Sequence, residues 1–208
     1  MRGRIEVTMI PNEPLPSTVA DLALLGRLFK EHRPKLLAMV RRRLDPALEG
    51  RIDAEGVVHE AFLVASRRWS AFEERSAAST YAWLYRIVRH CLIDAWRRET
   101  RQRCDARREM PWPEQSSAQL GLGLVGSSSS PSQAAIHAEQ AERVRQALSM
   151  LKESDREILW LRHNDDLTFP EAAYVLEISE SAATLRYWRA LKRFKELWQT
   201  LYPDESRP

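Results

Sequence analysis

The stretch from Asp105 to Gln133, DARREMPWPEQSSAQLGLGLVGSSSSPSQ, divides this chain. Rich in Ser, Gly and Pro, it carries too little apolar side chain to offset the entropy of ordering it, so it reads as a flexible linker. On either side, apolar residues recur at three- and four-residue spacing, and only 7 glycines occur in the 208 residues. That pattern belongs to helices rather than sheets. The expected architecture is all-α: two small helical domains joined by a flexible linker. The boundaries read as a disordered arm over 1–18, a first helical bundle over 19–104, the linker over 105–133, a second helical domain over 134–201 and a tail over 202–208. Within the arm, RIEVTMI alternates enough for a short strand. Within the linker, LGLGLV is apolar enough to dock against something.

Composition excludes several classes. Hydrophobic residues at 44% and charged ones at 29% suit a globular protein in water. Arginine outnumbers lysine 27 to 5, a bias that favours planar contact with phosphate or carboxylate. Cys91 and Cys104 lack the partners of a disulfide framework or a zinc site, which points to a reducing compartment. No run of 18 apolar residues and no signal-peptide core is present, so a cytoplasmic location without membrane insertion is expected. Neither a nucleophile–base pairing, a phosphate loop nor metal-ligand spacing occurs, so no enzyme activity and no cofactor are expected.

The downstream half carries a helix-turn-helix signature. KESDREILWLRH reads as a short helix, with Ser154 or Asp155 as its cap. In LTFPEAAYVL, Thr168 and Glu171 have the spacing of a capping box and Pro170 falls in the first turn. EIS is a tight turn, and Ser179 caps a cationic helix, SESAATLRYWRALKRF. At 100° per residue, Ala182, Arg186, Arg189, Ala190 and Arg193 fall on one side, and Thr184, Trp188, Leu191 and Trp198 on the other. Arginines beside small alanines suit the groove of duplex DNA, Arg186 at a base edge and Arg193 on phosphate.

Two upstream helices have different characters. In YAWLYRIVRHCLIDAWRRETRQR, the apolar stripe is Tyr81, Leu84, Val88, Cys91, Leu92 and Ala95. Trp83, Arg86, His90, Asp94 and Arg97 lie opposite, where an exposed tryptophan among arginines would stack on unpaired bases. In DAEGVVHEAFLVASRRW, Ala54, Val58, Ala61, Phe62, Ala65 and Trp69 point inwards. Glu55, Gly56, His59, Glu60 and Leu63 point out, an acidic arc suited to a basic protein surface.

From Leu22 to Trp198, these pieces in this order resemble the bacterial sigma factors of the extracytoplasmic-function group. The resemblance implies a factor that binds core RNA polymerase, directs it to promoters and helps open the DNA, with an anti-sigma factor as a further partner. It implies that Glu55, Gly56, His59 and Glu60 contact the clamp helices of the polymerase's largest subunit, Gly56 and His59 standing where acidic and amide residues are usual. It implies that SAFEERSAAS captures a flipped base of the minus-ten element. Trp83, Arg86, His90, Asp94, Arg97 and Arg98 would lie along the melted strand, with His90 where asparagine is common. Ser181, Thr184, Arg186 and Arg189 would read the minus-thirty-five element, after a turn in which Glu177 replaces the usual glycine. A stand-alone helix-turn-helix regulator is the alternative, but such a protein needs neither the acidic helix nor the aromatic, arginine-lined one.

Overall fold

The structure, a computed structural model, describes residues 19–44, 48, 50–75, 79–100 and 131–203. The arm with RIEVTMI, the segment 101–130 with LGLGLV and Cys104, and the last five residues lie outside the described residues. Seven α-helices make up the described part: α1 (Val19–Arg43), α2 (Ala54–Arg75), α3 (Thr80–Thr100), α4 (Pro131–Ser149), α5 (Glu153–His163), α6 (Phe169–Leu176) and α7 (Glu180–Leu201). The all-α expectation holds. Helix α4 starts at Pro131, inside the stretch read as linker.

The first three helices form a bundle. Leu25, Leu36, Met39 and Val40 of α1 meet Val58, Ala61 and Ala65 of α2 and Leu84, Val88 and Leu92 of α3, all essentially buried. Spacings of three, four, seven, eight and eleven residues, all near whole helical turns, place each set on one helical stripe. Asp53 starts α2 by accepting hydrogen bonds from the backbone N–H groups of Glu55 and Gly56, both at 3.0 Å. Helix α2 runs on through Arg75, so much of SAFEERSAAS is helical, and residues 76–78 lie outside the described residues.

The second group is short helices stopped by local chemistry. Lys152, not Ser154 or Asp155, is the N-cap of α5, and it caps with no side-chain hydrogen bond. Helix α6 carries the full capping box: Thr168 N–H donates to Glu171 Oε2 at 2.8 Å, and Glu171 N–H donates to Thr168 Oγ1 at 3.4 Å. It ends at Glu177, which takes the left-handed conformation (φ 56°, ψ 39°). Ile178 N–H bonds back to Ala173 O at 3.1 Å and Glu177 N–H to Tyr174 O at 3.3 Å, the paired bonds of a Schellman stop. The turn therefore keeps its left-handed geometry without glycine, at a cost of about 1–2 kcal/mol. Ser179 Oγ then accepts from Ala182 N–H at 3.2 Å and starts α7.

The two groups are not separate in space. Helix α3 packs on α6, and one continuous core runs through both halves.

Candidate nucleic-acid interface

Helix α7 faces solvent along a different line from the one its arginines suggested. Ala183 and Ala190 are fully buried, and Tyr187 and Phe194 lie on the same stripe, partly buried against the core. The small alanines thus let α7 approach its own domain closely, not the floor of a groove. Trp188, on the side opposite the arginines by projection, is 60% exposed, and Leu185 is exposed beside it. The outer face holds Ser181, Leu185, Trp188, Arg189 and Lys192, with Thr184 and Arg186 half-buried at its edges. Tyr187 is held from beneath by Phe169, edge-on at 5.3 Å, and by His163, whose Nε2 lies 3.1 Å from its hydroxyl.

Arg193 departs from the phosphate role. Its guanidinium donates to Asp155, a buried carboxylate in the first turn of α5, so it ties α7 to its own domain.

Helix α3 buries the predicted stripe, including Cys91, whose thiol is pushed up to about 11 first by burial and then by Glu60 and Asp94. Trp83 is the principal correction. It is only 4% exposed, stacked on Phe72 at 4.4 Å and tilted against Trp69 at 5.7 Å. The physical reason is the extra length of α2: its last turns bring Phe72 over a face that the α3 sequence alone leaves open. Downstream of Trp83 the polar face is as read. His90, Asp94, Arg97 and Arg98 are exposed, and Arg86 is half-buried. Arg68, Arg89, His90, Asp94 and Arg97 rim a cleft of about 550 Å³ between α2 and α3. Although His90 is exposed at its edge, the partial burial of its imidazole, and then the neighbouring Arg89, holds it below its ordinary pKa, so it faces the cleft uncharged at neutral pH.

On α2, Gly56, His59, Glu60 and Leu63 are exposed and Glu55 is half-exposed. Glu55 accepts from Arg33 and, at 3.4 Å, from Arg41, while Glu60 accepts from Arg98 at 3.0 Å. The last pair joins the acidic arc to the cationic end of α3.

A buried ionic cluster between the halves has no counterpart in the sequence reading. Arg43 Nη1 donates to both Glu157 oxygens (2.9 and 3.1 Å), and Arg89 Nε reaches the same carboxylate at 3.3 Å. Arg43 Nη2 donates to Tyr85 Oη at 2.9 Å, Tyr85 donates to Asp165 at 2.7 Å, and Arg42 donates to Asp165 at 2.7 Å. Burial pushes the Glu157 carboxyl up, but Arg43 and Arg89 outweigh it and hold the carboxyl below its ordinary value. Burial likewise opposes the charge on Arg43, and Glu157, Tyr85 and Asp165 together overcome it. No local motif could have announced this cluster, because its members are up to 123 positions apart.

Comparison with known proteins identifies the family. Residues 28–102 match the family model of sigma-70 region 2, and residues 141–194 match that of sigma-70, region 4. The sigma factor SigD of the extracytoplasmic-function group is 27% identical over 180 residues, 86% of this chain and 79% of the relative, in both Mycobacterium tuberculosis and Mycobacterium bovis. Two solved structures also align: CnrH in complex with the cytosolic domain of CnrY (21% identity, 87% of this chain and 94% of that one, TM-score 0.47), and the RsbN–BldN complex (21%, 83% and 90%, TM-score 0.29). The chain belongs to the sigma-70 family, in its extracytoplasmic-function group. Its partners are core RNA polymerase and promoter DNA, to which it directs the enzyme for transcription initiation. Among the described residues, no helix is long and apolar enough to cross a membrane.

Proposed function

We propose a division of labour between the halves, with domain boundaries at 19–104 and 134–201. Helix α2 binds polymerase through Glu55, Gly56, His59 and Glu60, the acidic arc that stays on the surface beside exposed Leu63. Helix α3 lies along the melted minus-ten strand through Arg86, His90, Asp94, Arg97 and Arg98. Trp83 serves this helix from below in the observed conformation, as the buried contact that fixes α3 on α2. Helix α7 reads the duplex minus-thirty-five element through Ser181, Thr184, Arg186 and Arg189. Arg193 holds that helix in place through Asp155.

The single observation that carries this reading is the capped turn from Glu177 to Ser179, which presents the N-terminal half of α7 outwards. The factor performs binding and strand capture and leaves nucleotide chemistry to the polymerase, in the cytoplasm. The family resemblance extends the proposal to an anti-sigma factor as regulator.

The test is Glu60→Arg. A cation placed against a basic partner surface costs several kcal/mol by like-charge juxtaposition. Co-purification with core polymerase should be lost while the helical circular dichroism spectrum is unchanged. Binding at parental affinity would remove α2 from the interface.

A further inference from the structure

Helix α7 leaves two large apolar side chains in water. Leu185 is 49% exposed and Trp188 60%, and three residues apart they share one face of the helix. Ser181, one turn before Leu185, and Arg189 and Lys192, one turn after Leu185 and Trp188, complete that face, all exposed. The fold of the domain does not call for this placement. Its core is met by the other side of α7, through Ala183, Ala190 and the partly buried Tyr187 and Phe194. The indole of Trp188 stands edge-on to Tyr187, ring centroids 5.4 Å apart, and so is propped outwards.

Charge decides what covers the pair. From Ser181 to Lys195 the helix carries five cationic residues and no acidic one. The centre of a protein–protein interface is depleted of charge, whereas a cationic surround suits a polyanion. Ser181 to Trp188 spans about 10 Å of helix axis, or roughly three base-pair steps. Within the major groove every base pair offers donors or acceptors, but there is one apolar group, the C5-methyl of thymine. Against cytosine, leucine or indole would strip water from the exocyclic amine and return no hydrogen bond.

We propose that Leu185 and Trp188 are specificity-determining residues that read thymine methyl groups at two neighbouring positions of the duplex minus-thirty-five element. The inference rests on the placement of α7 on that element given above, and it adds a second kind of readout there. Arg189 on the same face reads by hydrogen bonds, for which guanine is the fitting edge. Leu185 and Trp188 read by apolar contact and reject cytosine. Being uncharged, the pair leaves the salt dependence of binding to the arginines and Lys192.

The experiment assembles the full chain with core polymerase and selects a promoter from a random library. Each thymine of its minus-thirty-five element is then replaced in turn by deoxyuridine, which lacks only the methyl. Deoxyuridine at two neighbouring positions should weaken binding about fourfold each, the effect of one buried methyl-sized group. Leu185→Ser should abolish the penalty at one position and Trp188→Ala at the other, with the helicity and salt slope of the parent. 5-Methylcytosine should bind better than cytosine at the same positions in the parent alone. The deoxyuridine series alters only the DNA, so it decides the matter even where a variant loses helicity. A selected element without thymine, equal binding of thymine and deoxyuridine by the parent, or variants that weaken every sequence alike overturns the proposal. Arg189→Ala separates that failure from failure of the promoter reading. If it still shifts the promoters selected, α7 reads the element without methyl contacts; if it shifts nothing, α7 is not on the element and both fall.

Discussion

Replacing Trp83 by alanine separates two accounts of the same residue. Its indole is 4% exposed, stacked on Phe72 and tilted against Trp69, so truncation opens a cavity at the junction of α2 and α3. Removing a buried Trp or Phe side chain costs about 3–5 kcal/mol, and at this chain length each kcal/mol moves Tm by about 2–4 °C. Thermal unfolding followed by far-ultraviolet circular dichroism should therefore show Tm falling by roughly 10 °C. An exposed stacking residue would change stability by no more than about 0.5 kcal/mol, a shift below about 2 °C. A Tm within about 2 °C of the parent, together with a defect in promoter opening, would refute the buried role. The defect would then belong to a base-stacking surface.

Three further outcomes follow from single contacts. Glu177→Gly should raise Tm by roughly 2–6 °C, since it relieves about 1–2 kcal/mol of left-handed strain and gives up only an exposed ion pair with Arg86. Arg193→Ala should cost about 1–3 kcal/mol in a denaturant melt because the buried Asp155 carboxylate loses its guanidinium. Arg189→Ala, on the solvent face, should stay within about 0.5 kcal/mol. The Glu157 carboxyl is held below its ordinary value of 4.5, so its contribution is complete above pH 4.5 and is lost as the pH falls through the lowered value. The groups facing it are Arg43 and Arg89, with Tyr85 beside them. Thermal melts below pH 4.5 should accordingly show a steeper fall in stability for the parent than for Glu157→Gln.

What the sequence made legible was local. The Thr168–Glu171 box, the Ser179 cap and the apolar stripe of α3 are decided by residues three or four positions apart, and each appears as read. The errors arose where a distant element settles exposure. Trp83 is buried because α2 extends far enough to bring Phe72 over it, and Trp188 is exposed because Ala183 and Ala190 set which side of α7 meets the core. The Arg43–Glu157–Asp165 cluster joins residues more than 100 positions apart, so no periodicity could signal it. Each member read singly is an ordinary charged residue on a helix.

The most direct test of the account is permanganate footprinting of a promoter selected by the reconstituted holoenzyme. The account predicts reactive, unpaired thymines at the minus-ten element only when the chain and core polymerase are both present. Arg189→Ala should shift the promoters selected, and Arg97→Ala should reduce thymine reactivity on an unchanged promoter. Protection of duplex DNA by the chain alone, with no gain in thymine reactivity when polymerase is added, would contradict it and favour a stand-alone helix-turn-helix regulator.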